Sequence, residues 1–354
     1  MAETIRKDRF MNNNYYDTAP QSIKDFIVYE QIVKGRSELT VKNYYNDLRT
    51  FFRYYKMKTG RASNAPEDFS NIDISDITDD DIRAVDLQTA QEFLVYMKTE
   101  KNNEQKARYR KGVSLRQFYK FLTVNKNMFG VSPMANLELP TPKPALPKYL
   151  TLEQSLEMLT HIDTPDRKRD YCMVVFFLNC GIRLSELVGI DMKDIRLTHD
   201  ADGNEIYRLK VLGKGSKERI IYLNDACINA YMDYVAPEET DPDVRKAAGR
   251  RDMTAKTDAL FLSKRQTRIS NRRVQQIIEE CFKKSGLDNM GLSVHKLRHT
   301  FATLMYQNGV DVRVLKDVLG HENLNTTQIY THVSNSQLEN AMKQNPLSTV
   351  KSHK

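Results

Sequence analysis

A chain of 354 residues with 40% hydrophobic content suits two packed domains, and no apolar run in it reaches membrane-spanning length. Its 54 Lys and Arg against 46 Asp and Glu leave a formal charge of +8, which favours a polyanionic partner, most simply nucleic acid. The polar stretch Met1–Tyr15 has no apolar core and does not read as a secretory signal, so the first twenty residues are expected to be a loose tail. Cys172, Cys180, Cys227 and Cys281 form no C-x-x-C pair and stand at no metal spacing from a histidine, which predicts no metal and buried, reduced thiols in a cytoplasmic protein.

Residues 21–127 read as mainly helical. Val41, Tyr44, Tyr45, Leu48, Phe51, Phe52 and Tyr55 recur at three- and four-residue steps and predict a helix over Thr40–Tyr55, with Ser37 or Thr40 to cap it. The acidic stretch Glu67–Asp86 reads as a solvated connection with short helical turns. A second helix is predicted over Leu87–Lys98, with Phe93, Leu94 and Met97 inward. A third covers Lys106–Val124, with Leu115, Phe118, Tyr119 and Leu122 inward. Its polar side carries Lys106, Arg108, Arg110, Lys111, Arg116 and Lys120 with no acid between them. Such a run is usually a solvated face, but six uncompensated cations tilt the reading towards phosphate contact.

Pro140, Pro142, Pro144 and Pro147 stiffen the chain, so residues 128–149 read as a semi-rigid linker. Residues 150–354 then form a second domain. Thr151 and Gln154 spell a capping box, and the apolar helix over Tyr171–Leu178 stops at Gly181. Ile206–Leu212 and Glu218–Leu223 read as strands flanking a turn at Gly213–Lys217, and helices return at Asn271–Lys284, Val294–Gln307 and Val312–Leu319. The fold class expected is mainly α with a small β-sheet in the C-terminal domain.

Phosphoryl transfer without a metal needs planar cationic forks on the non-bridging oxygens, an in-line hydroxyl and an acid for the leaving oxygen. Arg183 and Arg298 supply forks, Tyr330 a hydroxyl, and Lys214, between two glycines of a turn, a proton. His295 and Arg298, three apart, share one helix face, and Ser293 can cap that helix, which places His295 in its first turn. Gly320 ends the next helix and presents His321, and Asn325 can cap a further helix carrying Tyr330. Singly, each has a plain reading: a surface arginine, one tyrosine of 18, an ordinary Gly-Lys-Gly turn.

Together these segments resemble the tyrosine recombinase (phage integrase) family. Gly181-Ile182-Arg183-Leu184-Ser185-Glu186-Leu187 resembles its first arginine box. Gly213-Lys214-Gly215-Ser216-Lys217-Glu218-Arg219 resembles its hairpin lysine motif. His295-Lys296-Leu297-Arg298-His299 resembles the second box, and Leu319-Gly320-His321 with Thr327-Gln328-Ile329-Tyr330 the third box and nucleophile. The resemblance implies a two-domain clamp, with a helical, SAM-like core-binding domain at 21–127 and a catalytic domain at 150–354 that ends in a tail helix. It implies that Arg183 and Arg298 hold the scissile phosphate, that His295 and His321 hydrogen-bond it, that Lys214 protonates the leaving 5′ oxygen, and that Tyr330 links to the 3′ phosphate, with Glu186 orienting the site. Neither metal nor ATP is implied. The partners implied are a double-stranded recombination site and a homo-tetramer on two DNA sites, or one shared with a second recombinase, with a DNA translocase or accessory protein, and no membrane. The tail after Tyr330, with Val333, Leu338 and Met342, could by its sequence equally fold back on its own domain, and the resemblance implies that it docks on a neighbouring subunit. The chain departs from the compact family pattern between Tyr234 and Leu260. That stretch, with Arg245, Lys246, Arg250, Arg251 and Lys256, reads as a flexible surface loop or an extra phosphate contact, with the loop favoured. Lys264, Arg265, Arg268, Arg272 and Arg273 are the catalytic domain's expected backbone contacts.

A non-catalytic DNA-binding protein would need neither Tyr330 nor Lys214. A relaxing topoisomerase of the same chemistry would not need the linked core-binding domain or the tail. Within the family the Gly-Lys-Gly-Ser-Lys-Glu-Arg wording resembles the Xer group, which separates chromosome dimers at a dif-type site, ahead of integrases of mobile elements.

Overall fold

A computed structural model describes residues 19–63, 68–141, 148–199, 202–213 and 217–320. The chain divides into two compact units, residues 1–144 and 145–354. The expected N-terminal tail, Lys214, His321, the helix proposed to start at Asn325, Tyr330 and the C-terminal tail lie outside the described residues.

In the first unit, α1 (Gln21–Val28), α2 (Glu38–Lys58), α3 (Asp79–Ala84), α4 (Leu87–Thr99) and α5 (Gln105–Val124) follow in order. Ser37 caps α2, its side chain accepting from the Thr40 N–H. Phe51, Phe52, Phe93, Phe118 and Tyr119 meet in the core, with Phe51 and Phe93 edge to face at 5.2 Å.

The acidic stretch is not a plain solvated connection. Ile74, Ile77 and Ile82 enter the core, while Asp76 pairs with Lys56 at 2.8 Å and Asp81 with Arg61 at 2.6 Å. The alternation of Ile with Asp lets one short segment fill a core and neutralise the polar side of α2. The start of the expected linker is also packed: Met134 and Leu137 are buried in the first core.

The second unit is built around α7 (Arg167–Cys180). Cys172 to Phe177 are all buried, as the unbroken apolar run requires. It follows α6 (Leu152–Thr160), which opens with the capping box of Thr151 and Gln154. After α7 come α8 (Leu184–Gly189), β1 (Ile195–His199), β2 (Glu205–Leu212), β3 (Glu218–Tyr222), α9 (Asp225–Val235), α10 (Pro242–Ala247), α11 (Asn271–Lys284), α12 (Val294–Gln307) and α13 (Val312–Leu319). The strands form one antiparallel sheet in the order β1-β2-β3, with Ile195 opposite Leu209 and Leu209 opposite Ile221. All four cysteines are buried.

The stretch from Tyr234 to Leu260 corrects the surface-loop expectation in part: Lys246 and Lys256 are exposed, but two of its arginines are packed inside. Arg245 and Arg251 are each 3% exposed. Arg245 donates to Val235 O, and to Ala236 O at 2.7 Å, at the buried carbonyl end of α9. Arg251 donates to Thr257 O at 2.9 Å and Ala259 O at 2.9 Å. Orphan carbonyls at a helix end and in a bend are strong acceptors, and a guanidinium satisfies several at once.

Candidate active site

Three short stretches of the second unit converge: the α7–α8 corner, the first turn of α12, and the C-terminal end of α13. Gly181 makes the corner. Its φ of 57° ends α7 in the left-handed region, and a Cβ there would sit 2.3 Å from the Phe301 ring. The next residues set Arg183 at the N-cap of α8 and Glu186 in its first turn. Ser293 stands at the N-cap of α12 without a side-chain cap bond, and His295 and Arg298 follow in the first turns.

Glu186 is the hub. Its carboxylate accepts from the Arg183 backbone N–H at 2.8 Å and from Arg183 Nη1 at 2.6 Å. Arg219, on β3, donates to both of its oxygens at 2.9 Å, a bidentate fork. Arg298 Nη1 lies 4.0 Å from the same group. Burial on its own raises the Glu186 pKa, but the Arg219 bonds, the Arg183 N–H and the two positive charges outweigh it and bring it down to about 2. Glu186 is therefore a fixed anion, bonded on both oxygens, and orients the arginines around it.

The end of α13 supplies a second anchor. Its last carbonyls have no partner within the helix and carry the negative end of its dipole. Arg219 Nε donates to Val318 O at 2.9 Å, Arg298 Nη2 to Leu319 O at 2.6 Å, and Arg183 Nη2 to Gly320 O at 3.2 Å. Three consecutive carbonyls are thus held by three arginines from three different elements. Arg298 Nη1 also donates to Gly181 O at 2.6 Å, closing the corner onto α12.

Arg183, His295 and Arg298 line one cavity of about 170 Å³, together with Gln275 and Glu279 of α11. The His295 pKa is pushed below its ordinary value, first by partial burial, then by Arg298, Lys296 and Arg183, so the ring is neutral at pH 7. His299 packs edge to face on it at 4.8 Å and is lowered to about 4 by burial, His295 and the nearby cations.

The expected site residues therefore fall into groups. Arg183, Glu186, His295 and Arg298 come together. Arg219 belongs with them and was quoted in the sequence only as part of a motif. Its signal was strand parity, since it shares the inward face of β3 with buried Ile221. Gln275 and Glu279 carried no signal beyond a helical spacing of four. Among the described residues no group of His, Cys, Asp or Glu is arranged to hold a metal.

The expected DNA contacts are placed less uniformly. On α5 the cations are not uncompensated, because the acid comes from α2: Asp47 pairs with Arg110 at 3.0 Å and with Lys111 at 3.6 Å. Arg116 donates to Leu137 O. Lys106 is exposed and Arg108 half-buried. In the second unit Arg268 donates to Val188 O at 2.7 Å and pairs with Asp191, while Lys264, Arg265 and Arg272 are exposed and Arg273 is half-buried.

Residues 148–337 match the phage integrase family. Over 330 residues the chain is 44% identical to the tyrosine recombinase XerC of Caldanaerobacter subterraneus subsp. tengcongensis, covering 93% of this chain and 88% of that one. The tyrosine recombinase XerD of Listeria innocua is 31% identical over 325 residues, 91% of this chain and 97% of its own. The fold is similar to that of the XerH site-specific recombinase in a pre-cleavage complex with difH substrate, with a TM-score of 0.66 at 20% identity, over 94% of this chain and 86% of that chain. No described helix is long and apolar enough to cross a membrane.

Proposed function

This chain belongs to the phage integrase family and is a tyrosine recombinase, a DNA strand-exchanging enzyme; from that premise we propose that it recombines a dif-type chromosomal site through a 3′-phosphotyrosine and a Holliday junction. The observation that carries the proposal is the convergence of Arg183, Arg298 and His295 on one cavity, with α13 tied to the same arginines just before His321. The relatives named XerC and XerD, and the difH substrate of the XerH complex, support the dif-type reading.

In this reading Arg183 and Arg298 hold the non-bridging oxygens of the scissile phosphate, where charge grows in the transition state. Tyr330 attacks phosphorus in line. The P–O5′ bond breaks, Lys214 gives its proton to the leaving oxygen, and His295 accepts the tyrosine proton. His321 donates a further hydrogen bond to the phosphate. A 5′ hydroxyl of the partner strand then displaces Tyr330, so the phosphotyrosine keeps the bond energy and neither ATP nor metal enters. Two DNA sites and four protomers, of one kind or two, complete the exchange.

The test is covalent trapping. Nicked DNA carrying dif-type or mobile-element end sites is mixed with wild type or Tyr330→Phe, with and without chelator, and run on a denaturing gel. A shifted band with wild type and none with Tyr330→Phe is expected, on dif-type sites. A band that persists in Tyr330→Phe refutes the nucleophile, one that vanishes with chelator refutes the metal-free chemistry, and one found on element ends alone refutes the chromosomal role.

A further inference from the structure

We propose that Arg219 is a positioning residue for general-acid catalysis, holding the neck of the β2–β3 hairpin against the arginine clamp; the proposal rests on the reading of Lys214 as the acid.

Arg219 is not among the residues that line the cavity where Arg183, His295 and Arg298 meet, and its side-chain bonds go to other groups. Its bonds reach three separate parts of the unit. Nη1 and Nη2 fork onto both oxygens of Glu186 at 2.9 Å, and Nε donates to Val318 O at 2.9 Å. Its own backbone lies on β3, opposite Val211 of β2.

The hairpin neck sits directly on this junction. Gly213 N–H donates to Lys217 O at 2.8 Å, closing the ladder on either side of residues 214–216. A Cβ on Gly213 would lie 3.7 Å from both Arg219 Nη1 and Glu186 Oε1, and one on Gly320 would lie 3.2 Å from Arg219 Cδ. At Gly213 that distance is ordinary contact, whereas Gly320, with φ of 63°, is where the lack of a side chain lets the chain close on the Arg219 guanidinium.

A hairpin joined to its unit only by the neighbouring strand would be free to tilt. The fork fixes two donor directions and the Nε bond a third, so the guanidinium cannot rotate without breaking one of them. A lysine keeps the charge near Glu186 but not the three directions. Arg219 therefore transmits the position of the clamp to the turn, and proton delivery to the leaving oxygen depends on it.

The experiment compares two nicked substrates in single turnover: an ordinary phosphodiester, and one whose 5′ bridging oxygen is sulfur. Breaking the P–S bond releases a thiolate that needs no proton, so an acid becomes dispensable. Wild type, Arg219→Gln, Arg219→Lys, Lys214→Ala and Arg183→Lys are measured, with duplex binding and circular dichroism as checks on folding. Arg219→Gln is expected to slow the oxygen substrate by about a hundredfold and the sulfur substrate by less than about threefold, in parallel with Lys214→Ala. Arg219→Lys is expected between it and wild type, and Arg183→Lys to lose rate on both substrates. Equal losses on the two substrates for Arg219→Gln, while sulfur restores Lys214→Ala, overturn the proposal and leave the acid standing. Failure of sulfur to restore Lys214→Ala overturns the acid assignment and the proposal with it.

Discussion

Asp47 in the first unit and Glu186 in the second are both carboxylates on helices, both with side chains 2% exposed, and both ringed by cations. They come out on opposite sides of their ordinary pKa. Burial raises Asp47, and the Ser114 hydroxyl at 2.8 Å, Arg110 at 3.0 Å and Lys111 at 3.6 Å do not recover the loss. Burial raises Glu186 as well, yet it ends near 2. The difference is geometric. Glu186 receives a two-pronged fork, a backbone N–H and a second guanidinium at short range, while Asp47 receives single, longer contacts. Glu186 has three cationic neighbours against two for Asp47, and its donors are also closer and better aligned.

The largest effect expected from this contrast is at Arg298, whose guanidinium joins Gly181, Leu319 and the Glu186 hub. Arg298→Ala is expected to slow cleavage of a nicked site by at least about a thousandfold, or about 4 kcal/mol of transition-state stabilisation. A loss within about tenfold would show that the cluster holds the fold and not the phosphate.

Next is stability at the two carboxylates. Glu186→Gln leaves buried Arg298 and the half-buried Arg183 and Arg219 without their anion and is expected to cost about 3 kcal/mol in urea denaturation at pH 7. The Glu186 pKa is lowered on folding, so its contribution is complete above about 4.5 and is lost as pH falls towards about 2. The gap between wild type and variant should close over that window. Asp47→Asn is expected to cost about 1 kcal/mol, as for a single hydrogen-bonded contact. Because Asp47 is raised on folding, the folded state takes up the proton first, and its gap should widen as pH falls into the carboxylate range. Two gaps that move the same way with pH would break the comparison.

His299 gives a smaller, separable signal. Its pKa falls from 6.5 to about 4 on folding, so the unfolded chain binds the proton first. Stability should drop as pH falls from about 6.5 to about 4, and His299→Gln should flatten that part of the profile.

These contrasts also mark how far the sequence could be read. The helices at Asn271–Lys284, Val294–Gln307 and Val312–Leu319 were legible to the residue, because Ser270, Asp311 and Gly320 punctuate them locally. β1 was missed because only Ile195 in it is buried, which leaves no alternation to read. Arg183, Glu186 and Arg298 were found through the motifs that carry them. The partners that give them meaning were not, since Arg219 lies 33 residues from Glu186 and 99 from Val318. Arg245 and Arg251 misled for a related reason: an arginine that serves carbonyl oxygens has the same letter as one that serves water. The α5 cations were read as uncompensated because Asp47, which meets Arg110 and Lys111, sits on another helix.

That last error yields the smallest and most discriminating expectation. If the α5 face contacts DNA, its cations should not contribute alike. Lys106 is exposed, whereas Arg116 is engaged by Leu137 O. Each phosphate contact releases condensed counterions and adds about 0.9 to the slope of log affinity against log salt. Lys106→Ala is therefore expected to reduce the magnitude of that slope by about 1 in duplex-binding titrations, and Arg116→Ala to leave it unchanged while lowering stability. Equal slope changes for the two would mean that Arg116 leaves its carbonyl for the backbone on binding, and that internal hydrogen bonds do not predict which cations reach DNA. An unchanged slope for Lys106→Ala would remove the start of α5 from the interface.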